Sequence, residues 1–134
     1  MSQHEAVLFA NEAFYLAFNG QDMPAMTDIW ARTAPVSCIH PGWPPLFGRE
    51  EVLESWDGIL SGDTPPAVSC HGARALVYGE TATVLCYERL PEGYLAATNV
   101  FVREKGVWKM VHHQAGPTHG APAVEQATDL PPLN

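Results

Sequence analysis

The stretch SCIHPGWPPLFG, residues 37–48, ends a strand-like run on a histidine and follows it with a rigid apolar loop. His40 stands at the lip of that run, directly before Pro41, and an imidazole placed there can take or give a proton near neutral pH. His112 and His113 adjoin each other in VWKMVHHQAG, and Glu88 lies in TVLCYERL. Imidazoles and a carboxyl drawn from separate segments are the parts of a general acid–base site, provided that the fold brings them together. Metal binding is the rival chemistry, with His40, His112, His119 and Glu88 as donors. No HxH, HExxH or CxxC spacing groups these residues, so no metal site is expected. The three cysteines, Cys38, Cys70 and Cys86, are far apart in apolar runs and read as small hydrophobes, not as nucleophiles or disulfide partners.

Convergence depends on which way each strand residue points. Lys109 belongs in solvent, so alternation turns Trp108, Met110, His112 and Gln114 together toward the interior and leaves Val111 and His113 on the opposite face. In TVLCYERL the set Val84, Cys86 and Glu88 competes with Leu85, Tyr87 and Arg89, and the first set is taken as inward. Trp43, stiffened by Pro41, Pro44 and Pro45, can form a flap that shields His40 from water.

The elements that must hold these residues can be read from periodicity. Apolar residues Val7, Ala10, Phe14, Ala17 and Phe18 make one helical stripe over residues 5–19, which Asn19-Gly20 ends. A short helix over 23–30 and a third over 49–60 follow, the third with acids in its first turn and Val52, Leu53, Trp56, Ile59 and Leu60 on one face. From Ala67 the period becomes that of strands. Four of them, joined at Gly79-Glu80, Pro91-Glu92-Gly93 and Lys105-Gly106, read as an antiparallel meander. Both faces of the meander are apolar, which calls for helices on one side and a second copy of the chain on the other. The 134 residues fit one domain, and a net charge of −8 argues against nucleic acid and anionic membranes as partners. With no basic leader and no long apolar run, the expectation is a cytoplasmic protein.

The segments AFYLAFNGQDMPAMTDIW, VSCIHPG, GREEVLESW and TNVFVREKGVWKMVHH, in this order, resemble the NTF2-like superfamily over about residues 5–116, in particular its SnoaL-like and ketosteroid-isomerase-like branch. The resemblance implies an α+β cone: three N-terminal helices packed on a strongly curved, mostly antiparallel sheet that encloses a pocket. The domain would span residues 1–118, with an irregular tail over 119–134. In the isomerase branch a catalytic aspartate precedes a proline at the end of the first strand, and that place falls on His40. The family's oxyanion tyrosine falls on Phe14 and its protonated aspartate on Asn99. Phe14 cannot donate, and Tyr15, about 100° further round the helix, is not expected to replace it. Loss of one such donor commonly costs about 100- to 1000-fold in rate, which argues against a steroid isomerase.

The resemblance also puts Asn99 and Phe101 inside. The expected site then has His40, Asn99 and His112 as catalytic residues, lined by Phe14, Trp30, Trp43, Trp56, Glu88, Phe101, Trp108 and Gln114. Its ligand would be a small apolar or carbonyl-containing molecule, isomerised, cyclised or dehydrated without a cofactor, in a homodimer formed through the sheet. The alternative on the same residues is a non-catalytic binding or dimerisation module.

Overall fold

The computed structural model describes residues 1–64 and 66–123. Its elements are α1 (Gln3–Asn19), α2 (Met23–Ile29), β1 (Ser37–Ile39), β2 (Leu46–Phe47), α3 (Arg49–Leu60), β3 (Ser69–Tyr78), β4 (Thr81–Leu90), β5 (Gly93–Glu104) and β6 (Val107–Pro117). Three helices therefore precede the long meander and pack on one six-stranded sheet of order β2-β1-β6-β5-β4-β3. Every pairing is antiparallel except β1 with β6. The short β2 falls within the segment expected to be an apolar loop.

Each helix begins for a local reason. Ser2 and Glu5 form a capping box at α1, the Ser2 hydroxyl accepting from the Glu5 N–H and the Glu5 carboxylate from the Ser2 N–H. At α3, Arg49 reaches back and donates to the carbonyls of Thr27, Trp30 and Ala31 at 2.8–2.9 Å, which binds the start of α3 to the end of α2. The buried residues of α1 are Val7, Asn11, Phe14, Tyr15 and Ala17. The expected stripe was centred elsewhere: the helix is rolled so that Asn11 and Tyr15, not Ala10, face the sheet. Phe14, Met26, Trp30, Val52, Trp56, Phe101 and Met110 form the fully buried core.

Two bulges bend the sheet around α1, one in β3 between His71 and Arg74 and one in β6 opposite Val100/Phe101. The second decides the site. Phe101 pairs with Met110 but Val100 pairs with His112, so Val111 is the extra residue and the alternation along β6 inverts after it. It falls where β6 changes partners: Met110 bonds the chain leaving α2 through the Ala31 N–H, and from His112 onward β6 runs beside β1.

β6 ends at Pro117, and residues 118–123 continue without regular structure; the rest of the expected tail, 124–134, lies outside the described residues. Among the described residues no helix is long and apolar enough to cross a membrane.

Candidate active site

The inverted alternation brings His113 into the interior and turns His112 away. His113 is 1% exposed, whereas Gln114 is exposed and His112 lies on the outer face, where its Nδ1 meets the Ser37 hydroxyl at 2.7 Å. The expected inward pair of His112 and Gln114 is thus corrected by one inserted residue, and His113 takes the place assigned to His112. Its neighbours across the sheet are Cys38 on β1 and Asn99 on β5, and Asn99 is paired in turn with Val84 on β4.

Around this row the polar side chains close into a network. Asn99 Nδ2 donates to Asn11 Oδ1 at 2.8 Å and to the Tyr15 hydroxyl at 3.1 Å. With both amide hydrogens spent, Asn99 Oδ1 is the acceptor for His113 Nδ1, 2.6 Å away. The proton of neutral His113 is therefore on Nδ1, and the Nε2 lone pair faces Glu88 Oε2 at 3.7 Å. Tyr15 donates to that same oxygen at 2.8 Å. The Cys86 sulfur lies 3.4 Å from the Tyr15 hydroxyl, and Asn11 Nδ2 donates to Cys70 at 3.6 Å. Tyr15, set aside in the sequence reading, is 4% exposed and central; the roll of α1 supplies the turn that residue spacing withheld.

His40 approaches from the other side. Residues 40–43 make a tight turn closed by the Trp43 N–H on the His40 carbonyl, with Pro41 second and Gly42 third at φ 82°, a conformation that favours glycine. The turn folds the Trp43 ring edge-on over the imidazole, 4.7 Å between centroids, while its outer side stays 45% exposed. Ser55 donates to the Val52 carbonyl at 2.7 Å, so its oxygen accepts from His40 Nε2 at 2.9 Å. That fixes the tautomer and leaves the lone pair on His40 Nδ1. The His40 and His113 rings are 6.4 Å apart, with Trp56 4.9 Å from the first and 5.8 Å from the second.

Burial sets the charge states. Desolvation pushes His40 down to about 4, and desolvation reinforced by His40 and His112 pushes His113 down to about 3. Glu88, 3% exposed, is raised by burial and only partly relieved by the Tyr15 hydrogen bond. Both imidazoles are neutral at pH 7, and burial favours the protonated form of the carboxyl. Burial likewise lifts the Cys38 thiol to about 12, which removes it as a nucleophile.

The remaining expected residues divide by position. Phe14 and Trp56 wall the network, Phe14 at 4.9 Å from the His113 ring. Trp30 and Phe101 are buried against Met110, one inward row nearer the β5–β6 turn. Trp108 lies beyond them, its indole donating to Gln3 and its ring beneath Arg103. The Trp56 Nε1–H is buried without a hydrogen-bond acceptor and favours the ionised form of the neighbouring Cys38 thiol. Phe14, Phe18 and Trp56 pack edge to face at 4.8–6.0 Å, so the interior beside the network is closely filled. Sizeable cavities formed by described residues lie elsewhere on the molecule. Among the described residues no group of three or more His, Cys, Asp or Glu is arranged to hold a metal ion.

Comparison with known proteins agrees with this architecture. A candidate dehydratase of the NTF2-like family from Streptomyces avermitilis is 32% identical, with a TM-score of 0.78 over 87% of this chain and 96% of its own. A candidate calcium/calmodulin-dependent protein kinase type II association domain from Thiobacillus denitrificans is 29% identical, with a TM-score of 0.73 over 82% and 93%. The F-box protein SKIP8 of Arabidopsis thaliana is 28% identical over 112 residues, 82% of this chain but 48% of SKIP8, so the chain spans about half the length of that curated relative. The family model of the SnoaL-like domain matches residues 7–118, from the first turns of α1 to the end of β6, and on that match and this fold the chain belongs to the SnoaL-like family of the NTF2-like superfamily.

Proposed function

We propose that the cone carries out general acid–base chemistry on a small, largely apolar carbonyl compound, with dehydration as the reaction best matched to its groups. The observation that carries this reading is Glu88: a buried carboxyl whose surroundings favour its protonated form, bonded to Tyr15 and 3.7 Å from the His113 Nε2. Buried ionisable groups cost several kcal/mol that an apolar core would not. In the reaction His40 Nδ1 removes the proton next to the carbonyl, and the unpartnered Trp56 Nε1–H receives the developing enolate oxygen. Glu88 gives its proton to the departing hydroxyl, which leaves as water, and the proton on His40 returns to Glu88 before the next cycle. Asn99, whose amide hydrogens are both engaged, is a positioning residue that fixes the His113 tautomer. Trp43 must swing off His40 to admit the substrate. The similarity to a candidate dehydratase at 32% identity supports the same chemistry.

The test is incubation with a panel of small β-hydroxy ketones and acids in D2O, followed by NMR for loss of the hydroxyl and deuterium uptake at the α-carbon. Turnover by the wild type is expected to fall at least about 100-fold in Glu88→Gln and in His40→Gln, with folding retained. Undiminished rates in both variants would end the assignment, and compounds bound but returned unchanged would make the cone a binding module.

A second reading concerns assembly, since one similar structure is a candidate association domain. The outer face of the sheet exposes Leu76, Tyr78 and Leu85, and pairing two such faces would cover them. Light scattering should give twice the chain mass, and Leu85→Glu should return the monomer mass; a monomeric wild type at high micromolar concentration refutes it.

A further inference from the structure

At the β5–β6 turn, far along β6 from His113, two concavities adjoin. An apolar groove of about 350 Å³ has a floor of Ala6, Ala10 and Ala13 from α1, with Phe9, Ile29 and Trp108 as walls. Phe9 is 69% exposed at its mouth and Val107 52%. Beside it a cavity of about 610 Å³ is lined by Arg32, Arg103, Lys105 and Lys109, with Thr33 and Glu104, and the two share Val107 and Lys109. Four of the seven Lys and Arg residues of a chain with net charge −8 thus line one cavity.

Three carboxylates offset part of this charge and leave Lys105 unpaired among the described residues. Glu104 is spent on the chain after α2, accepting from the N–H groups of Arg32, Thr33 and Ala34 and from the Thr33 hydroxyl at 2.8–3.0 Å. Asp28 is shared between Lys109 at 3.5 Å and Arg32 at 3.9 Å, and Glu80 meets Arg103 at 3.5 Å. The Arg103 Nε is buried with no acceptor, and Lys105 has no carboxylate within ion-pair reach among the described residues.

We infer that this end of the molecule is a second binding site, for a free small amphiphile whose carboxylate or phosphate head sits among Arg32, Arg103 and Lys105 while its apolar chain lies along the Phe9 groove. Charge complementarity selects the head, and volumes of this size suit a small molecule better than a protein segment. The strongly acidic remainder of the chain disfavours an anionic bilayer as the source of that head. The site is independent of the acid–base reading of the cone.

Decanoate, 1-decanol and inorganic phosphate, titrated separately against the full chain by NMR, test it. Decanoate should bind at least about tenfold tighter than either of the others, with the largest shifts at Phe9, Val107 and Lys105. The double variant Arg32→Gln/Lys105→Gln, and separately Phe9→Ser, should each weaken decanoate about tenfold without lowering the melting temperature, and Glu88→Gln should bind it unchanged. Decanol binding as tightly as decanoate, unaltered affinity in the charge variant, shifts centred on His40 and His113, or retention on phosphatidylglycerol vesicles would each overturn the inference.

Discussion

Asn99→Ala should lower the melting midpoint by about 10 to 20 °C. The wild-type amide engages Asn11 Oδ1, the Tyr15 hydroxyl and His113 Nδ1–H, and Asn99 itself is 0% exposed. Truncation leaves Asn11 Oδ1 and the His113 Nδ1–H without a partner in a place water does not reach, at about 1 to 3 kcal/mol each, while the Tyr15 hydroxyl keeps its bond to Glu88. A loss of about 2 to 6 kcal/mol is a large part of the roughly 5 to 15 kcal/mol that holds a domain together. Each kcal/mol corresponds to about 3 or 4 °C for a chain of this length. Asn99→Leu separates hydrogen bonding from packing, because it restores the volume and still orphans Asn11 Oδ1 and the His113 Nδ1–H. Calorimetry should therefore find the leucine variant about as unstable as the alanine one. A leucine variant melting within a few degrees of wild type would show that the network contributes little to stability.

Much of this architecture is legible in the sequence because helix and strand periods are local. The 49–60 stripe ends where α3 ends, and turns at Gly79-Glu80 and Lys105-Gly106 separate the strands as expected. Lys105 and Gly106 both take positive φ, the paired conformation a two-residue hairpin needs. Glu88 faces inward with Val84 and Cys86, a choice between rival sets that alternation alone leaves open, and Asn99 faces inward as the family resemblance implies. Alternation fails where its premise fails. Val111 is inserted in β6 because β6 changes partners there, a tertiary event that no residue within VWKMVHHQAG announces. One residue of slip exchanges His112 for His113, and with it the chemistry of the site. Asn11 carried a usable signal, since it lies four residues after Val7 and four before Tyr15 on one helical face. A polar residue there implies a buried partner, and it has one in Asn99. The orphan indole of Trp56 and the Ser55 contact that fixes the His40 tautomer depend on how α3 lies over β1, which composition and period leave open.

Acid unfolding should separate the charge states of the interior groups. An imidazole with a folded pKa of about 4 or 3 against about 6.5 in the unfolded chain contributes stability that is complete at pH 7 and lost as pH falls below about 6.5, because only the unfolded chain then takes the proton. Glu88 works in the opposite sense: its pKa is raised, so above about 4.5 the folded state keeps a proton that the unfolded state releases. In the window above that, a proton kept by folded Glu88 offsets the proton that the unfolded His113 takes up. The wild-type slope should therefore lie below the two protons of His40 and His113 alone, each proton being worth roughly 1.4 kcal/mol per pH unit. Glu88→Gln removes the offsetting proton while a carboxamide oxygen can still accept from Tyr15, so its slope should approach two protons, and His40→Gln in the wild-type background should lower the slope by about one proton. Urea unfolding midpoints between pH 5 and 7 measure all three. Equal slopes of about two protons for wild type and Glu88→Gln would show that folded Glu88 holds no proton at these pH values, and the carboxyl could then no longer serve as the acid that releases water.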